Sequence, residues 1–264
     1  MRGIRIVWVV HNAQIAPRDR NAAWRVYADL LCRLTDGALT LSPSTAPQAI
    51  GSYPGLAGKP RDYFWHPAYP DEPRAHDRRA ATRAGLGVPE GGRLAVQIGF
   101  ISEYKGTGEL IAAFRGLASP LDRLLVAGMP YGERVADAMR RAAADDARIL
   151  LDFRLLSPED LADSTAAADL AVLAFNGHVH SGSLVHALSL GVPVLTSDQP
   201  YARDIMSIAG PDWVRLFALP LTPVVLEHAL SQVRPAGRPD LTALAPVEAG
   251  RRILDFLRRL GMRR

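Results

Sequence analysis

The chain has 264 residues, 48% hydrophobic and 22% charged, which supplies one large core or two modest ones and excludes a disordered chain. Its formal charge of +4 comes from arginine, since Lys59 and Lys105 are the only lysines. The aromatic residues are scattered instead of interleaved with the cations, which argues against a nucleic-acid partner. A single Cys32 rules out a disulfide framework and a cysteine metal site, and no apolar run approaches the roughly 18 to 20 residues of a membrane span.

Residues 4–10 read as a buried strand ending at His11 and Asn12; they are too short for a signal peptide, so a cytoplasmic protein is expected. Residues 22–34 follow as a helix and 38–41 as a short strand, and a run rich in proline and glycine extends from Pro43 to Pro73. The stretch 67–78 has the composition of an interdomain connection. The expected division is therefore residues 1–72 as a partial, shortened N-terminal α/β part, 73–93 as a linker, and 94–264 as a second domain that includes the last helix.

From Leu94 the chain alternates. Strands are expected at 94–98, 123–127, 148–151, 170–174 and 193–196, with helices at 107–117, 133–144 and 158–167 and after Ser181. Ser157 is placed to cap the 158–167 helix, with Pro158 at its first position. Uniformly apolar strands separated by helices predict an α/β fold, a doubly wound parallel sheet covered on both faces. Ligands of such sheets bind beyond the carboxyl ends of the strands, where the strand order reverses. Two polar turns, 99–106 and 177–183, each follow a strand at that edge and are expected to face one crevice.

The second turn is the more telling. His178, Val179, His180, Ser181, Gly182 and Ser183 run directly into an apolar helix that Gly191 and Pro193 stop. The helix start directs free N–H groups and the positive end of its dipole at whatever lies ahead, an anion or sugar-hydroxyl site by construction. His178, His180 and His186 are too loosely placed, and lack a carboxylate partner, to predict a metal site. In the last helix, Arg251, Arg252, Arg258, Arg259, Arg263 and Arg264 flank Ile253, Leu254, Phe256, Leu257 and Leu260. The expectation is that it packs its apolar stripe on the body and solvates its arginines; the other reading is peripheral contact with an anionic membrane surface.

These blocks carry a family resemblance. Gly99 through Gly106, Leu110 to Phe114, Ala127-Gly128, Ala168 to Leu173, and Ser181-Gly182-Ser183 through Val194 resemble, in order and spacing, the donor-binding half of the retaining family 4 glycosyltransferases, of GT-B fold. Val9 to Asn12, Ala38 to Ser42 and His66-Pro67 are similar to the end of that family's acceptor domain. The resemblance implies a nucleotide-diphosphate sugar as donor, a glycan or lipid-linked acceptor, transfer with retention and no metal cofactor. It implies that Lys105 meets the diphosphate, that Gly99, Ser181, Gly182 and Ser183 cradle donor groups, and that His11 faces the sugar. Where the family has a second cation this chain has Phe100 and Ser102, and where it has two glutamates eight residues apart this chain has His178 and His186. The bland alternatives are a solvated Lys105, a strand-end His11 and a packed His186.

Two functions follow as expectations. One is a glycosyltransferase acting on a nucleotide sugar. The other is a noncatalytic or incomplete nucleotide-sugar-binding module that needs a partner chain for the acceptor half.

Overall fold

The structure, a computed structural model, describes residues 4–11, 22–177 and 180–262. Strands β1 (Val7–Val9), β2 (Gly37–Thr40) and β3 (Arg61–Tyr63) form a small parallel sheet in the order β1-β2-β3, with helix α1 (Ala22–Leu34) between β1 and β2 and α2 (Ala46–Ser52) between β2 and β3. The first strand is shorter than its apolar run because its partner β2 offers only four residues, and Ile4 stays 91% exposed. The third was hidden in the proline-rich run: Arg-Asp-Tyr carries no apolar alternation, and its outer edge is unpaired among the described residues.

Two helices, α3 (Pro73–Asp77) and α4 (Arg79–Gly85), occupy the stretch expected to be a linker. Their charges have structural work: the Arg79 guanidinium donates to the Ala166 and Ala168 carbonyls and to Asp169, and Arg83 reaches Asp169 at 2.9 Å. Cations at a helix C-terminus take up carbonyls the helix leaves open. A composition that reads as solvated loop is thus a clamp on the helix that follows in space.

The large sheet contains β4 (Leu94–Ile98), β5 (Arg123–Ala127), β6 (Ile149–Asp152), β7 (Leu170–Leu173), β8 (Val194–Ser197) and β9 (Val214–Phe217), all parallel in the order β6-β5-β4-β7-β8-β9. Helices α5 (Thr107–Arg115), α6 (Glu133–Ala143), α7 (Pro158–Ala167), α8 (Gly182–Ser189), α9 (Pro200–Ala209) and α10 (Pro223–Ser231) cross between them. Alternate strand residues go to opposite faces. Leu94, Val96, Ile98, Leu125 and Ala127 pack with α7, α8 and α9, while Ala95, Leu124 and Val126 pack with α5, α6 and α10. The doubly wound sheet expected from the sequence is present, and Ser157 caps α7 through the Asp160 N–H at 3.0 Å.

The last helix, α11 (Pro246–Arg259), returns to the first sheet instead of resting on the second. Phe256, 1% exposed, and Ala249 bury against Leu39, Leu41 and Phe64, and a Cβ on Gly37 would stand 2.8 Å from the Phe256 ring. Ile253, Phe256 and Leu260 of its apolar stripe are taken up by this packing, while Leu254 stays 44% exposed. The described arginines pair locally, Arg251 with Glu248, Arg258 with Asp255 and Arg259 with Asp62, while Arg252 lies over the Tyr63 ring at 4.4 Å; Arg263 and Arg264 lie outside the described residues. Among the described residues no helix is long and apolar enough to cross a membrane.

Candidate functional site

The strand order reverses between β4 and β7, and the two polar turns leave the sheet there. After β4, Gly99 takes φ 97° and Gly106 takes φ 63°, both in the region that favours glycine. A Cβ on Gly106 would lie 1.8 Å from the Ala174 carbonyl oxygen, so the turn after β4 presses directly on the end of β7. The Asn176 N–H donates to the Tyr104 carbonyl at 2.7 Å, and the buried Gln97 side-chain amide donates to the Lys105 carbonyl at 2.9 Å. The two turns are thereby laced into one surface.

Ser181 is the N-cap of α8, its Oγ accepting from the Leu184 N–H at 3.1 Å. The N–H groups of Gly182 and Ser183, ahead of that bond, receive no partner from the helix itself. Ser183 Oγ donates to the Ile98 carbonyl at the end of β4. The space beside Gly99, where a Cβ would sit, is 3.1 Å from Ser183 Oγ and 3.5 Å from Lys105 Nζ. The ammonium, the helix start and the glycine turn therefore converge. Burial pushes the Lys105 pKa below its ordinary value, and no acidic side chain among the described residues pairs with it. The neighbouring acids are engaged elsewhere, Glu103 with Arg134 and Glu109 with Asn176. A half-buried cation without a counter-ion, at a helix start, is suited to an incoming anion.

Rings line the other side. Residues four apart share a helix face: Gly182 and His186 turn toward Tyr69, whose ring meets His186 edge-on at 5.1 Å. His186 is enclosed, with Thr165 Oγ1 at 3.5 Å, and burial pushes its pKa down to about 4. His180 is likewise pushed down to about 4 by burial, although its Nδ1 donates to the His11 carbonyl at 2.5 Å. The His11 ring lies 6.2 Å from that of His180, and burial, then His66, lowers its pKa. His66 and Tyr69 approach Gly182.

Of the residues singled out in the sequence, the structure gathers Gly99, Lys105, Ser181, Gly182 and Ser183 at one surface and sets His11 beside His180. It places His186 in the packed ring layer, and His178 lies outside the described residues. Sequence reasoning missed the side chains of His66, Tyr69, Tyr201 and Gln97. Only the first had a signal, the His66-Pro67 pair.

The profile described as "Glycosyl transferases group 1" matches residues 92–218, which contain both turns and Lys105. That stretch is similar to a group 1 glycosyltransferase domain. The whole chain is similar to the GDP-mannose:glycolipid 4-beta-D-mannosyltransferase of Xanthomonas campestris pv. campestris, 30% identical over 250 residues, covering 92% of this chain. The chain spans 65% of the length of that curated relative. Among solved structures, Anabaena Alr3699/HepE in complex with UDP-glucose aligns with TM-score 0.68 at 16% identity over 97% of this chain and 71% of that one. WaaG, a glycosyltransferase involved in lipopolysaccharide biosynthesis, aligns with TM-score 0.64 at 19% identity over 97% and 70%. A UDP-forming trehalose-phosphate synthase from Burkholderia xenovorans gives TM-score 0.71 at 13% identity over 98% and 69%. These likenesses establish the GT-B fold, and the matched stretch 92–218 contains all six strands of the larger sheet.

Proposed function

We propose that the protein is a glycosyltransferase that holds a nucleoside-diphosphate sugar across the β4/β7 crevice and transfers the sugar to a glycan or glycolipid acceptor. The observation that carries this reading is the convergence of Lys105 Nζ and Ser183 Oγ on the open side of Gly99. As the bond from the anomeric carbon to the diphosphate breaks, negative charge grows on the leaving oxygens. A pre-placed ammonium and the N–H groups of Gly182 and Ser183 stabilise that charge without reorganising. The Gly99 to Ile101 loop runs against Gly128 to Tyr131. Beyond it a hollow of about 210 Å³ between Met129, Pro130, Arg140 and Phe153 is the place for the base.

The relative's name supports GDP-mannose as donor and a glycolipid as acceptor. It also bears on stereochemistry, because it specifies a β-mannosyl product, and a β product from a sugar α-linked to its diphosphate is inversion, against the retention implied by the family resemblance. The anomer of the product decides. No metal is invoked, and transfer that survives EDTA is the expected result. A second reading, a module that works with a partner chain, draws on the apolar residues exposed around β1 and α1: Ile4, Ile6, Val9, Val26, Tyr27 and Leu30.

The test is calorimetric binding of GDP, UDP and ADP, with and without their sugars, to the wild type and to Lys105→Ala. A hydrogen bond to a charged group contributes about 1.5 to 3 kcal/mol, so GDP affinity should fall about 10- to 150-fold. The thermal midpoint should stay level or rise, because the substitution removes a buried cation that no acid among the described residues compensates. Failure of every nucleotide to bind at millimolar concentration would sink the donor-site reading.

A further inference from the structure

The segment from Phe64 to Tyr69 links the two sheets and is fixed at several points. Phe64 is buried under α11, Trp65 packs against the large core, the Ala68 N–H donates to the Leu244 carbonyl at 2.8 Å, and the Tyr69 N–H donates to Ser189 Oγ at 3.0 Å. Between these anchors stands His66. Its Nδ1 is 2.9 Å from the Pro67 carbonyl oxygen. A carbonyl only accepts, so Nδ1 carries a proton, and in the neutral imidazole the lone pair is on Nε2. Nε2 points at the start of α8: the place where a Cβ of Gly182 would sit is 3.4 Å from His66 Nε2 and 3.0 Å from the Tyr69 hydroxyl. Neither atom has a partner among the described residues. The ring is held in place by stacking on Tyr69, centroids 5.7 Å apart. A fixed proton acceptor thus faces the first residue of the helix whose N–H groups are assigned to the leaving diphosphate.

We propose that His66 is a catalytic base of the transfer: its Nε2 takes the proton of the attacking acceptor hydroxyl. In that step the acceptor oxygen bonds to the anomeric carbon. The bond from that carbon to the diphosphate oxygen breaks, its electron pair leaves with the nucleoside diphosphate, and the acceptor proton ends on Nε2. No carboxylate takes part. The titratable groups around His66 are His11 at the end of β1, Tyr69 on the same segment and His180 ahead of α8, with Tyr201 and Asp204 of α9 beyond. Burial holds His11 and His180 toward neutrality and raises Tyr69 away from ionisation, so His66 works in a neutral surround. Gly182 is required for this approach, since a side chain there would meet both the imidazole and the phenol.

This inference rests on the glycosyltransferase reading, and its test separates the two. GDP release from GDP-mannose is followed with water and with octyl glucoside as acceptors, for wild type, His66→Gln and His66→Ala, alongside GDP affinity and thermal midpoint. General base catalysis contributes about 10²- to 10⁴-fold, so kcat should fall by about 10²-fold or more with GDP affinity within about threefold of wild type. The acid limb of kcat/KM should vanish in both variants, and added imidazole should restore part of the rate of His66→Ala. A kcat within about threefold of wild type, or an acid limb that persists, overturns the proposal, because the diphosphate itself would then take the proton. Parallel losses of kcat and GDP affinity also overturn it, since they assign His66 to structure alone. A wild type that binds GDP-mannose and releases no GDP overturns it as well, whereas a wild type that binds no nucleotide removes the donor site itself.

Discussion

The turn side of the crevice is made of backbone, and the side facing it is made of rings. Gly99, Gly106 and Gly182 let main chain and helix start come together around Lys105, with Ser181 and Ser183 tying the turns to α8 and β4. Opposite them His11, His66, Tyr69, His180, His186 and Tyr201 pack edge to face or in parallel over the seam between the two sheets. The difference is one of charge and of its control. Amide dipoles do not titrate, so the helix start keeps its positive end as pH changes, and the titrating group of the turn side is Lys105, its pKa lowered by burial. Imidazoles do titrate, and burial suppresses protonation at His180 and His186.

Acid should therefore break the comparison with the largest effect. Both histidines have folded pKa values of about 4, below the ordinary 6.5, so between pH 6.5 and pH 4 the unfolded chain binds more protons than the folded one. Their contribution is complete above pH 6.5 and is lost as pH falls toward 4, at about 1.4 kcal/mol per pH unit per histidine, roughly 3 kcal/mol each. Urea unfolding at pH 7, 5.5 and 4 reads this directly, and His186→Leu should remove its share of the slope. A flat profile across that window would mean that the ring side is open to water.

Next in size is Phe256→Ala. The first sheet, which carries His11 and leads into the 64–69 segment of the ring side, has only three short strands, and Phe256 beneath it is almost fully buried. Truncating a buried phenylalanine costs about 3 to 5 kcal/mol. Because α11 touches the first sheet, hydrogen exchange should accelerate in β1 to β3 far more than in β4 to β8. Equal acceleration in both sheets would mean that they unfold as one unit.

Gly106→Ala tests the turn side. A non-glycine residue in the left-handed region and an overlap with the Ala174 carbonyl together cost about 2 to 4 kcal/mol. Much of the loss should appear as weakened GDP binding, since the displaced turn carries Lys105. If GDP affinity is unchanged while stability falls, the turn is structural and Lys105 is not held by it.

The two sides also differ in how far the sequence revealed them. Glycines, a lysine and serines at fixed offsets inside strand–turn–helix units leave a local signature, which is why the sequence already points to Gly99, Lys105 and Ser181 to Ser183 as neighbours. The ring side is assembled from His11, the 64–69 segment, the turn before α8 and α9, none adjacent in sequence, and a histidine carries no periodicity that says what it will face. His186 was legible only as one of two alternatives, and its enclosure by Thr165 and Tyr69 is a tertiary fact. The same holds for the fold. The apolar central strands announced themselves, whereas β3, with Arg61 and Asp62, did not, and the placement of α11 on the first sheet depends on Gly37, whose bare Cα admits Phe256.

The smallest effect is expected at the arginines of α11, and it sharpens the contrast with Lys105. Arg251 is exposed and faces Glu248 and Asp255 one turn away; Arg258 faces Asp255. Exposed pairs of this kind gain little Coulomb energy in water and lose side-chain entropy on pairing. The double variant Arg251→Gln, Arg258→Gln should move the thermal midpoint by no more than about one degree and leave GDP affinity unaltered, although it removes two of the charges that make the chain basic. Lys105 is one cation among 31 basic residues, yet its removal should be felt in binding because it is half-buried at a helix start with no acid beside it among the described residues. If the double variant weakened GDP binding as much as Lys105→Ala does, the attraction of the crevice would come from the net charge of the molecule, and the local convergence at Gly99 would lose its claim to be the donor site.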